Sequence, residues 1–175
     1  KYHKFFGKYF FKKKNKKNLL LLEKTPQYIM SKKYLNNIYE YNSNIKIIYF
    51  VRDPIDRIIS EFKWQTNNSM ESRNFKDAIL EEFKNYKSER NIEYDFYKYK
   101  DLNTISFNTR YIYGSDYKLH MKQLHSIFPK ENILIVNLNK FKNELDKEFF
   151  KITKFLKIKK MDLDKINSSK NKGKN

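Results

Sequence analysis

The sequence predicts an α/β domain built on a mostly parallel sheet. Three observations carry this expectation. Short apolar runs of strand length recur at Leu19–Leu22, Ile45–Val51 and Ile133–Val136. They are continuous rather than alternating, as expected where helices cover both faces of a sheet. Amphipathic helical patterns separate and follow them. Finally, the first two runs end in polar, Pro-containing segments, Glu23-Lys24-Thr25-Pro26 and Arg52-Asp53-Pro54. Open α/β sheets bind ligands just beyond the carboxyl ends of their strands.

Taken in order, the four-leucine run is a buried strand whose exit is fixed by Pro26,. The second strand, Ile-Lys-Ile-Ile-Tyr-Phe-Val, leads directly into a helix. Asp53 suits the N-cap of that helix and Pro54 its first position. From Ile55 to Trp64, Ile58, Ile59 and Phe62 fall on one side. Phe75, Ala78, Ile79, Phe83 and Tyr86 repeat at helical spacing. Tyr117, Met121, Leu124 and Phe128 make a further apolar stripe, and Leu145, Phe149, Ile152 and Leu156 another,. Residues 1–160 are expected to form one domain, with 161–175 a polar, mobile C-terminal tail.

Composition bounds the partners. The 175 residues include 39% hydrophobic and 17% aromatic residues, enough to fill a core, so disorder along the whole length is excluded,. The net charge of +18 fits nucleic acid, anionic lipid or a polyanionic glycan,. Most of that charge is Lys in an Asn-rich, Gly- and Pro-poor sequence, which reads as compositional bias. Arg is different. There are five, Arg52, Arg57, Arg73, Arg90 and Arg110, and a planar guanidinium grips phosphate in a bidentate way that Lys cannot. With no cysteine, disulfides, thiolate nucleophiles and thiolate metal sites are ruled out,. The leucine run is too short to span a bilayer. His120 and His125, five apart, read as surface histidines rather than metal ligands.

Two motifs carry chemistry. Arg52 ends a strand, and Ser60 lies eight residues on, about two turns into the following helix. Such a pair can converge on one anion, or Arg52 can pair with a surface carboxylate while Ser60 merely packs; spacing alone leaves both open. The stretch Lys46–Phe62, IIYFVRDPIDRIISEF after its Lys, resembles the 3′-phosphate-binding segment of the sulfotransferases that use PAPS (3′-phosphoadenosine 5′-phosphosulfate). That segment is a strand, Arg-Asp/Asn-Pro, and then Arg and Ser at fixed spacing. The resemblance implies that Arg52 and Ser60 hold the 3′-phosphate, with Arg57 in a supporting role. Glu23-Lys24-Thr25-Pro26-Gln27-Tyr28 is similar to a motif of the heparan sulfate sulfotransferases, particularly the glucosaminyl 3-O-sulfotransferases. By that resemblance Lys24 is the catalytic cation beside the transferring sulfuryl group. A loose transition state with charge on its peripheral oxygens needs such a positioned cation.

The resemblance runs from about Gly7 to the 150s. It takes in the Tyr-bearing helix from Tyr117, the Phe128-Pro129 turn, the strand Ile133–Val136, and Phe155-Leu156-Lys157-Ile158. Asn139 and Lys157 stand where relatives carry Glu and Gly. The implied fold is a three-layer, P-loop-NTPase-like α/β domain. The family's Gly-rich 5′-phosphosulfate loop and general base are not found among these residues. His3 at the N-terminus reads as a surface residue. Since the chain opens on Lys1, the expectation is a domain incomplete at its N-terminus, in a parent enzyme whose isolated piece is inactive. The expected function is sulfuryl transfer from PAPS to a hydroxyl or amine of an anionic, heparan-like carbohydrate, with no metal and no nucleic-acid partner. Membrane attachment is expected only through an upstream anchor, which implies the Golgi lumen for a eukaryotic protein and the cytoplasm for a viral or bacterial one. Two readings compete: a catalytically incomplete PAPS- or glycan-binding relative, and a basic nucleic-acid-binding module. The latter accounts for the charge but not for Arg-Asp-Pro and its Ser.

Overall fold

The computed structural model describes residues 20–89 and 110–159. The expectations for Gly7, His3 and the C-terminal tail concern residues outside that set. After a 3-10 turn at Pro26–Met30, the elements are α1 (Lys32–Tyr41), β1 (Ile47–Val51), α2 (Pro54–Asn67), α3 (Phe75–Glu89), α4 (Tyr117–Ile127), β2 (Ile133–Asn137), α5 (Leu138–Asn143) and α6 (Leu145–Leu156). A further 3-10 turn, Tyr113–Ser115, leads into α4.

β1 and β2 pair in parallel, from Ile47 opposite Ile133 to Val51 opposite Asn137. Successive side chains of a strand point to opposite faces, so the pairing sorts the apolar residues into two layers. Ile47, Tyr49 and Ile133 face α1 and α4, where Leu35, Leu124 and Phe128 form the buried centre. On the other face Val136 is buried, Phe50 packs edge-on against Phe141 of α5, and α6 lies against β2. The result is helix, sheet, helix. Lys46 fastens the strand entrances together: its ammonium donates to the Glu131 carbonyl (3.0 Å) and to Asn132 Oδ1 (2.7 Å). At least this Lys is structural, not a product of composition alone.

Three expectations need correction. The leucine run is not a strand in residues 20–22, where Leu20, Leu21 and Leu22 are 50%, 39% and 76% exposed. A strand exists only through ladder partners, and β1 and β2 pair only with each other among the described residues. On α2, Ile58 and Phe62 turn inward as expected, but Ile59 is exposed and Gln65 is buried in its stead. His120 is fully buried rather than on the surface.

Candidate functional site

The site is built around the end of β1. Asp53 caps α2 through Oδ1, which accepts the Ile55 (2.9 Å) and Asp56 (3.0 Å) N–H groups. Two orphan donors of the first turn are thereby satisfied. Arg52 sits between the last ladder residue and this cap. Its own N–H donates to the Tyr117 hydroxyl (3.3 Å), and its guanidinium Nη2 reaches along the helix to the Arg57 carbonyl (3.3 Å). Ser60 lies three residues beyond Arg57, and residues three apart are neighbours on a helix surface. Arg52 is half-buried and Ser60 exposed, and no hydrogen bond among the described residues joins the two.

Arg57 turns the other way. Its Nη1 donates to Ser115 Oγ (3.3 Å) and to the Tyr111 carbonyl (3.5 Å). The guanidinium lies flat over Gly114, where a Cβ would come within 2.6 Å of Nη2. Gly114 thus permits a close approach that locks α2 to the segment before α4. The supporting role inferred for Arg57 is what this geometry gives it.

Lys24 stands on a separate segment. Glu23 Oε1 accepts both the Thr25 hydroxyl (2.9 Å) and the Tyr28 hydroxyl (2.8 Å). Three of the motif's side chains thereby close the turn on themselves, and the fourth, Lys24, projects into solvent. No hydrogen bond or ion pair among the described residues joins Lys24 to Arg52 or Ser60. The two segments meet indirectly instead. The Tyr113 hydroxyl donates to the Met30 carbonyl (3.1 Å) at the end of the Lys24 turn, while Tyr117 holds Arg52.

Behind these residues lie two polar networks that the sequence reading missed. In the first, the Tyr49 hydroxyl and His120 Nδ1 are 2.8 Å apart, and His120 Nε2 is buried without a partner among the described residues. Burial holds the imidazole down at about 4, against weaker opposing pull from Asp116, and pushes the Tyr49 phenol upward. In the second, Glu71, whose side chain is fully buried, accepts Nε (2.8 Å) and Nη2 (2.6 Å) of Arg73 and the Tyr111 hydroxyl (2.9 Å). The Arg73 hydrogen bonds hold its carboxyl at about 2. Glu82 adds a clamp, accepting the backbone N–H groups of Tyr111 (2.7 Å), Ile112 (3.0 Å) and Tyr113 (3.0 Å). Burial is the main influence on Glu82 and raises it. These carboxylates pin the segment on which Arg57 and α4 both rest. No spacing in the sequence signals this pinning, because the partners on that segment lie 29 to 40 residues away.

A family description, "Sulfotransferase domain", matches residues 1–175. The chain belongs to the sulfotransferase family. It is 30% identical over 142 residues to heparan sulfate glucosamine 3-O-sulfotransferase 5 of Mus musculus and of Homo sapiens. That alignment covers 79% of this chain and 36% of each relative, so the chain spans about a third of their length. The sulfotransferase from Alicyclobacillus acidocaldarius has a similar crystal structure. It matches with a TM-score of 0.58 at 16% identity, covering 79% of this chain and 53% of that one. At that identity the likeness establishes the fold alone, and the three-layer, P-loop-like α/β domain expected from the sequence stands. Among the described residues, no three His, Cys, Asp or Glu side chains are grouped to hold a metal ion, and no helix is long and apolar enough to cross a membrane.

Proposed function

We propose that this sulfotransferase chain binds the 3′-phosphate of PAPS through Arg52 and Ser60, and that its parent protein transfers the sulfuryl group to a carbohydrate acceptor. One observation supports the reading: the Arg52 guanidinium reaches along α2 to the Arg57 carbonyl, three residues before Ser60. A guanidinium and a hydroxyl on one surface supply charge-assisted donors to a dianionic phosphate. Arg52 is also tied at its backbone, so little ordering is left for ligand binding to complete.

In the proposed step an acceptor oxygen or nitrogen attacks sulfur. The bond from sulfur to the 5′-phosphate oxygen breaks, PAP leaves with the bonding pair, and the acceptor proton passes to a base outside the residues assigned here. Lys24 offsets charge building on the sulfuryl and leaving-group oxygens. Its exposure suits a group that engages only once nucleotide and acceptor are bound. A heparan-like acceptor is supported by the names of the two mammalian relatives.

Calorimetric titration with PAP tests the nucleotide site. Loss of the charged donors of Arg52 should weaken binding roughly 10- to 100-fold in Arg52→Ala, and Ser60→Ala roughly 3- to 10-fold. Unchanged affinity in Arg52→Ala would remove the basis of the assignment. Duplex DNA bound tightly, with no competition from PAP, would favour the nucleic-acid module instead. Transfer of labelled sulfate from PAPS by the full-length parent protein to a glycan panel, heparan and chondroitin chains included, tests the acceptor class. There Lys24→Ala should lower turnover by two orders of magnitude or more while leaving PAP affinity near wild type.

A further inference from the structure

The half-buried Tyr49, three residues before the one assigned to phosphate binding, forms a hydrogen-bonded pair with the buried His120. Arg52 is the first residue past the β1–β2 ladder, whose last pair is Val51 and Asn137. Its N–H therefore needs a partner outside the sheet and finds the Tyr117 hydroxyl at 3.3 Å. Tyr117 and His120 are three apart on α4, so they are neighbours on one helix face. That face holds β1 at two points. Tyr117 takes the Arg52 N–H, and His120 takes the hydroxyl of Tyr49, three residues before Arg52, at 2.8 Å. The Tyr49 ring also packs edge-on against Tyr117, with centroids 6.1 Å apart, and against His120 at 6.2 Å.

His120 also contacts the other functional segment. Tyr113 lies edge-on to the imidazole at 5.7 Å and donates its hydroxyl to the Met30 carbonyl, at the end of the turn that follows Lys24. An imidazole at this spot is costly. It is 0% exposed, and whichever nitrogen carries the proton, Nε2 is left without a partner among the described residues. An aromatic hydrocarbon would fill the same space without that penalty. What the imidazole adds is the directional bond to Tyr49. That bond fixes the position of β1 along α4, which packing alone sets less sharply.

We propose that His120 is a positioning residue: through Tyr49, and together with Tyr117, it holds the Arg52 backbone where its guanidinium meets the nucleotide phosphate. The proposal rests on the reading of Arg52 as the phosphate ligand and adds to it the device that sets Arg52 in place. His120 touches no substrate in this scheme. The network also gives the Lys24 turn and the Arg52 strand a common support.

The test is PAP affinity by calorimetry, with thermal midpoints, for the wild-type chain and for Arg52→Ala, Tyr117→Phe, Tyr49→Phe, His120→Phe and His120→Asn. Asn can place an amide close to the position of Nδ1, whereas Phe fills the space without a polar atom. Removing one positioning hydrogen bond should weaken PAP binding roughly 3- to 10-fold in His120→Phe and Tyr117→Phe, with recovery to within about 2-fold in His120→Asn. Should His120→Phe fail to fold, the two hydroxyl deletions carry the test, since both keep the ring packing. If His120→Phe and Tyr117→Phe lower the midpoint yet bind PAP like wild type, while Arg52→Ala has lost it, the positioning role is wrong and the phosphate site stands. His120→Asn as impaired in binding as His120→Phe would likewise overturn it. Undiminished affinity in Arg52→Ala would bring down the underlying site itself.

Discussion

His120 and Glu71 are buried groups whose titration is displaced by the fold, and together they make the protein sensitive to acid. For His120 the ordinary value of 6.5 falls to about 4, chiefly through burial. The unfolded chain therefore binds a proton that the folded one refuses between those values. Stability is whole above 6.5 and declines as pH falls towards 4. Glu71 falls from 4.5 to about 2, held by Arg73. Its contribution is present above 4.5 and lost as pH drops through 2. Urea midpoints measured against pH should show both declines, with His120→Asn flattening the first and Glu71→Gln the second. At Gly114, an added methyl would displace the Arg57 guanidinium from Ser115 and Tyr111. Gly114→Ala should cost about 1–2 kcal/mol by denaturant unfolding. In the Arg57→Ala background it should cost much less, because the displaced contact is already gone. Asp53 was legible as a cap because its hydrogen bonds are local to one strand-helix unit. His120 was misjudged because helical spacing cannot say which neighbours cover a face.

At the scale of elements, ends decide more than interiors. The start of α2 was readable from Asp53-Pro54, and the structure adds the two hydrogen bonds that make the cap. Asp53→Ala should lower stability by about 1 kcal/mol. The end of α6 is less obvious. Lys157 takes a left-handed conformation (φ 55°, ψ 38°), with its N–H on the Lys154 carbonyl and that of Ile158 on the Thr153 carbonyl. This is the C-terminal turn that glycine fits without strain. The departure from the family pattern at Lys157 therefore keeps the backbone geometry and adds a steric cost. Lys157→Gly should raise the unfolding free energy by about 1 kcal/mol, and an unchanged or lower value in chemical denaturation would contradict this account. The leucine run shows the opposite failure. Its apolar composition matched a strand, yet residues 20–22 have no ladder partner among the described residues. A strand is defined by its neighbour, and a single segment's sequence does not contain the neighbour.

For the whole molecule, the layered core and the polar clamps divide the work. Leu124 is fully buried at the centre of the α1–α4 face, so Leu124→Ala should cost about 2–5 kcal/mol and lower the thermal midpoint accordingly. The clamps of Glu71, Glu82 and Arg57 tie the segment at 111–115 to α2, α3 and the turn between them. They hold in place the platform from which α4 reaches the segment at Arg52.

The sequence by itself determined the α/β class, the positions of β1 and β2, the helices α2, α3, α4 and α6, and the strand-helix unit bearing Arg52 and Ser60. Each follows from periodicity, capping or a motif confined to a few consecutive residues. Tertiary structure alone decided that Tyr117 receives the Arg52 N–H, that His120 is buried against Tyr49, and that Tyr111 meets Glu71. Those contacts join residues 40 to 71 positions apart. Their geometry depends on how whole elements pack, and local patterning carries no record of that packing.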